Sequence, residues 1–151
     1  MLDQSISLVA GGTVMVIDFD LGRSFVVRGS TIEQNRLLFK PVIKATARDV
    51  TGSVSGTVRA GSSAGALVAG ATVEVLKAGT SLTDTDPTNV IRSGDTDAQG
   101  TFKILYLLPG TYALRATPPS AMTLYGPVLQ ASATVTSGAD TGGNLLILPL
   151  K

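Results

Sequence analysis

The chain is predicted to be all-β, a sandwich of short strands. Three observations carry that prediction. Apolar residues alternate with polar ones in runs of four to eight, the two-residue period of a half-buried strand. Those runs are bounded by Gly, Pro and Asp turns. No segment sustains the 3.6-residue pattern of an amphipathic helix; its best chance is a short turn near residues 31–35.

Strands are expected over residues 5–9, 13–19, 24–28, 37–47, 52–59, 71–77, 101–107, 111–117, 129–136 and 144–150. The first ends at Gly11-Gly12. The second, Thr13-Val14-Met15-Val16-Ile17-Asp18-Phe19, is β-rich and nearly continuous in apolar character. Leu21-Gly22 breaks it before Ser24-Phe25-Val26-Val27. Residues 37–47 carry Leu37, Leu38, Phe39, Val42 and Ile43, with Pro41 inside, which argues for an edge or a bulge. Arg48-Asp49-Val50-Thr51-Gly52 has the character of a hinge between two units.

The run Gly94 to Ala116 writes two strands and two turns. Asp97-Ala98-Gln99-Gly100 offers Asp for an Asx-type turn and Gly where a positive φ is needed. Thr101–Leu107 then alternates, with Phe102, Ile104 and Tyr106 expected on one face and Thr101, Lys103 and Leu105 on the other. Leu108-Pro109-Gly110 breaks the strand. Tyr112 and Leu114 resume on one face, with Arg115 opposite, so the break is a hairpin or a sheet corner.

Composition limits the chemistry. The 151 residues carry 12 basic and 11 acidic side chains, a net charge of +1, with no basic run, so nucleic-acid binding has no support. No apolar stretch reaches the roughly 18 residues of a membrane helix. Histidine and cysteine are absent, which removes the usual general base, thiolate chemistry, disulfides and the commonest transition-metal ligands. Hydrophobic residues at 44% against 15% charged, with mean hydropathy +0.33, suit a sandwich of short strands and equally a chain that buries more surface against neighbours. The N-terminus shows neither the charged nor the apolar region of a signal peptide.

The run Thr96-Asp97, Gly100, Phe102, Leu108-Pro109-Gly110, Tyr112 and Leu114 resembles the carboxypeptidase regulatory-like family, a transthyretin-like (prealbumin-like) β-sandwich. Gly52–Val58 is similar to that family's first strand, and Val68-Ala69-Gly70-Ala71-Thr72-Val73-Glu74-Val75 to its second. The resemblance covers residues 51–151 and implies a Greek-key sandwich. The segment 79–91 departs from it, because the family has a shorter connection there. Gly11-Gly12-Thr13, Val16, Asp18-Phe19-Asp20 and Phe39-Lys40-Pro41-Val42-Ile43 resemble the C-terminal end of an uncharacterised bacterial domain that precedes such sandwiches in envelope lipoproteins. These resemblances imply two domains: residues 1–50, a partial domain or strand donor, and residues 51–151, the sandwich.

Several constellations could carry chemistry. Asp84, Asp86, Asp95 and Asp97 form an acidic cluster, and Asp95-x-Asp97-x-Gln99-Gly100 partly matches the start of an EF-hand loop. The twelfth position, which needs a bidentate Glu, is Tyr106. Asp95 and Asp97 are therefore weak metal candidates, and turn capping is preferred. The pairs Asp18/Asp20 and Asp95/Asp97 invite a glycosidase reading; acidic residues flanking turns and strand edges explain them better. Cna B-type adhesin relatives form intramolecular isopeptide bonds, for which Lys44 or Lys77, Asn144 and Glu74 are the available parts. Arg59 stands in the region where that family has its first-strand Lys. Tyr106, Tyr112 and Tyr125 could make a sugar platform, but core packing with a bonded hydroxyl is preferred.

No catalytic residue and no cofactor are expected. The expected function is a non-catalytic structural or interaction module of a bacterial cell-envelope or extracellular assembly. Its partners would be further copies of itself or neighbouring envelope domains, with self-assembly into filaments by strand complementation. A carbohydrate-binding accessory domain is the alternative.

Overall fold

The computed structural model describes residues 14–19, 24–27, 37–41, 43–47 and 50–151. The chain falls into two compact units, Met1–Asp49 and Val50–Lys151.

In the first unit four short strands are described: β1 (Met15–Phe19), β2 (Phe25–Val27), β3 (Leu37–Phe39) and β4 (Ile43–Ala47). β1 pairs antiparallel with β4, setting Ile17 opposite Ala45, and β2 pairs antiparallel with β3. The strand expected over 37–47 is therefore two strands with different partners. The break falls at Lys40-Pro41, where proline has no N–H to give a ladder. The Lys40 N–H instead donates to the Ser24 carbonyl at 2.7 Å. The expected strand at 5–9 and turn near 31–35 lie outside the described residues.

The second unit holds seven strands: β5 (Gly52–Ala60), β6 (Thr72–Lys77), β7 (Val90–Asp95), β8 (Thr101–Leu107), β9 (Gly110–Thr117), β10 (Val128–Val135) and β11 (Asp140–Leu148). They form a four-stranded sheet, β10-β9-β6-β7, and a three-stranded sheet, β11-β5-β8, in which β11 runs parallel to β5. This is an all-β, transthyretin-like Greek-key sandwich, with additional strands ahead of it. The inward positions of the two sheets make one apolar core: Val54 and Val58 from β5, Val73 and Val75 from β6, Phe102 and Ile104 from β8, Leu114 from β9, Val135 from β10, and Leu146 and Leu148 from β11. Burying such side chains is worth roughly 1.5–3 kcal/mol each before the entropy of ordering them is subtracted.

β7 is a strand where the sequence suggested the end of a long connection. Its residues Val90-Ile91-Arg92-Ser93-Gly94-Asp95 do not alternate in hydropathy, because β7 is an edge. Only part of it needs to be apolar: Ile91 packs on the core, and a Cβ at Gly94 would touch Ile104 at 3.7 Å. Arg92, opposite Val75, sends its Nε–H to the Tyr106 carbonyl at 3.2 Å and so bridges the two sheets along this flank.

β8 also departs from simple alternation. Phe102 and Ile104 face inward as expected, but Leu107, not Tyr106, is the next fully buried residue. Between the pairs Val54↔Ile104 and Gly52↔Leu107, β8 has one residue more than β5. Tyr106 takes that extra place at φ 59, making a bulge that shifts the face by one. The Leu108-Pro109 break is a corner, because β8 and β9 belong to different sheets. The Tyr112 hydroxyl spans the corner, donating to the Leu108 carbonyl at 2.8 Å.

β11 begins four residues before its expected start. Gly142-Gly143 is a bulge inside the strand: three steps from Thr141 to Asn144 match two from Val54 to Gly56. Gly56 is required there, since a Cβ would lie 2.1 Å from the Asn144 carbonyl oxygen.

Candidate functional site

One groove of the sandwich is an open depression of about 600 Å³ lined by β5, β8, β11 and the β7–β8 turn. Its acidic residues are Asp95, Asp97 and Asp140, and its single lysine is Lys103. Asp140, at the start of β11, was not picked out by sequence. Its only signal was an acid set two residues before Gly142-Gly143.

Asp97 is committed to its turn. Its Oδ1 accepts from the N–H groups of Gln99 and Thr101, both at 2.9 Å, and its Oδ2 accepts from the Thr101 hydroxyl at 2.5 Å. Gly100 closes the turn at φ 67, and its N–H donates to the Asp97 carbonyl at 3.0 Å. The Thr101 hydroxyl and backbone bonds hold the carboxyl below its usual pKa of 3.8, against a small opposing desolvation. Asp95 ends β7 and accepts from the Thr72 hydroxyl at 2.9 Å. The twelfth position of the EF-hand comparison, Tyr106, lies within β8.

Asp140 fastens one end of the three-stranded sheet. Its oxygens accept from Ser53 Oγ at 2.6 Å and Ser55 Oγ at 2.7 Å, both on β5. Lys103 Nζ on β8 stands 3.6 Å away. The two serine bonds, with help from Lys103, lower its pKa from 3.8. One carboxylate therefore ties all three strands together. Asn144, named above as an isopeptide part, is buried. Its amide donates to the Ser55 and Thr141 carbonyls at 2.9 and 2.8 Å and accepts from Gln130 Nε2 at 2.8 Å.

A second depression, about 460 Å³, lies on the outer face of the four-stranded sheet. Arg115 on β9 binds Glu74 on β6, with Nε 2.6 Å from Oε2. Its Nη1 also reaches the carbonyls of Asp84 at 2.5 Å and Leu82 at 3.4 Å. Arg115 thus pins the 79–89 connection across this face. Asp84 in turn accepts from the Asp86 N–H at 2.8 Å and Asn89 Nδ2 at 3.1 Å. Asp86 caps the 3-10 turn Pro87–Asn89 through the Thr88 N–H at 2.8 Å.

Within the second unit the parts named for an isopeptide bond are not brought together. Glu74 is paired with Arg115, Asn144 belongs to the other sheet, and Lys77 is exposed at the end of β6. Lys44 lies in β4 of the first unit. Tyr112 and Tyr125 both pack against the core. Among the described residues, no three acidic side chains converge as metal ligands, and no helix is long and apolar enough to cross a membrane. No buried side-chain N or O atom described lacks a hydrogen-bond partner.

No family model matches the chain, and no curated protein matches it. Solved structures similar to parts of it include a type II cohesin–X-dockerin complex from Acetivibrio cellulolyticus, at 25% identity and TM-score 0.43 over 64% of this chain and 56% of that one. The minor pilin of Streptococcus agalactiae matches at 13% identity and TM-score 0.42, over 74% of this chain and 49% of that one. The major pilin subunit of Bacillus cereus matches at 14% identity and TM-score 0.43, over 96% and 41%. The chain spans about half the length of the first two. Likenesses this partial assign it neither an activity nor a partner.

Proposed function

We propose that the chain is a non-catalytic structural module of a bacterial cell-envelope or extracellular assembly, whose sandwich belongs with the carboxypeptidase regulatory-like domains. The observation that carries this reading is the use made of the groove's polar groups. Asp97 and Asp140 each accept hydrogen bonds from their own scaffold, and both are held as carboxylates. A general acid near neutral pH needs the opposite shift, and a nucleophile needs a base beside it. Ser53 and Ser55 both donate to Asp140, whose lowered pKa makes it a weaker base than an ordinary carboxylate.

The second support is the pinning of the 79–89 connection by Arg115, which spends the sandwich's best ion pair on loop order. In this reading the sandwich is a rigid spacer and the first unit supplies association between copies by strand pairing. Negative-stain microscopy of the full chain tests it: ordered oligomers or filaments are expected. A uniformly monomeric chain that retains glycans on an array would replace it with the carbohydrate-binding reading.

A further inference from the structure

The outer face of the four-stranded sheet holds two buried side chains that the core does not account for. On β6 and β9 the inward residues Val73, Val75, Leu114 and Ala116 belong to the core. The outward residues include the ion pair of Glu74 and Arg115. By the two-residue period of a strand, Leu76 and Ala113 point the same way as that pair. The register sets Leu76 opposite Ala113 on one side and opposite Val90 of β7 on the other. These three make an apolar stripe across β7, β6 and β9. Leu76 is 1% exposed and Ala113 0%. The other outward positions Thr72, Thr111 and Thr117 on the same two strands are exposed. The burial is therefore local, and it needs a cover.

The 79–89 connection crosses this face. It turns back directly after β6, where the Thr80 N–H and hydroxyl both donate to the Lys77 carbonyl, at 3.2 and 2.8 Å. Arg115 ties its middle to the sheet through the Leu82 and Asp84 carbonyls. Its far end is closed by bonds among Asp84, Asp86 and Asn89. The segment brings little apolar surface of its own: Leu82 is 37% exposed, and Ser81, Thr83, Thr85 and Thr88 are exposed polar residues. A segment with few buried apolar contacts belongs to the low-stability end of a fold.

We infer that residues 79–89 are a strap that opens as a unit while the sandwich stays folded, with Arg115 as its latch. Opening recovers the conformational entropy of the segment and breaks the Arg115 bonds to its carbonyls. The opposing term is the stripe, whose apolar surface water then meets. The stripe keeps the strap closed most of the time, and the thin polar strap lets it open without global unfolding. The device works on a single copy of the chain, so it stands apart from the assembly reading.

The test uses the absence of cysteine from the sequence, which lets one introduced thiol report its own site. Ala113→Cys places a thiol on the stripe, and Ala116→Cys places one in the core, both at positions 0% exposed. Each labelling rate with a soluble thiol reagent is compared with that variant's own global opening, from urea unfolding. On that scale the stripe position should react at least about tenfold faster than the core position under native conditions. Adding Arg115→Ala should speed the stripe position by a further factor of about ten and the core position much less. Leu76→Cys repeats the reading at the stripe by removing bulk rather than adding it. Equal rates at stripe and core overturn the strap, because the cover then lifts only with global unfolding. A stripe position that Arg115→Ala speeds no more than the core position overturns Arg115 as the latch.

Discussion

Thr96→Val should destabilise the sandwich more than its size suggests. The Thr96 side chain is buried, and its hydroxyl serves two backbone groups at once. It accepts from the Ala71 N–H at 2.9 Å and donates to the Val68 carbonyl at 2.7 Å. Both partners are themselves buried, at 0% and 2% exposure, so water cannot replace the lost hydroxyl. Valine keeps the shape and removes the polar atom, leaving a donor and an acceptor unpaired. Each such group costs about 1–3 kcal/mol, so the substitution should cost about 2–5 kcal/mol. For a unit of this length that is a fall in melting temperature on the order of 10–20 °C. Thr96→Ser keeps the hydroxyl and should lose only about 1 kcal/mol, through its missing methyl. Urea unfolding of the second unit, with the slope held common between variants, measures both. A valine variant within about 0.5 kcal/mol of wild type, well inside the range of an indifferent surface change, would refute the reasoning.

Gly100→Ala should cost about 1–3 kcal/mol, because φ is +67° and the new Cβ would lie 2.8 Å from the Val68 nitrogen; chemical denaturation reads it. Arg115→Ala removes the pin on the 79–89 connection, so hydrogen exchange across residues 82–85 should accelerate while β5 and β11 keep their protection. Acid should loosen the fold through Asp97 and Asp140. Both folded pKa values lie below 3.8, so the unfolded chain binds more protons as pH falls toward them. Their stabilisation is complete above about pH 4 and is lost as pH falls through the folded values. Asp97→Asn and Asp140→Asn should each flatten the stability curve beneath pH 4, measured by thermal melting against pH.

Where sequence and structure agree, the signals are local. The Asp97–Gly100 turn is written in the side-chain oxygen of one residue and the missing Cβ of another, and both act within five residues. Phe102, Ile104, Tyr112 and Leu114 follow the two-residue period because their strands face a core. The failures are places where a distant partner decides. β7 forms because β6 offers it a ladder, although Arg92, Ser93 and Gly94 carry no strand pattern. Leu107 replaces Tyr106 because β8 gains a residue relative to β5, which only the pairing reveals. Asn144 and Asp140 were hard to place for the same reason. Their partners, Ser53, Ser55 and Gln130, are 14 to 89 residues away in sequence.

The central claim is that the groove's carboxylates hold the sandwich together and do no chemistry. A site-resolved titration of the Asp97 and Asp140 carboxyl carbons by NMR tests it most directly. Both should titrate below 3.8, with Asp140 rising toward that value when Ser53 and Ser55 are changed to alanine. Either carboxyl titrating well above 3.8 in the native fold would contradict the account and mark that residue as a candidate acid or base.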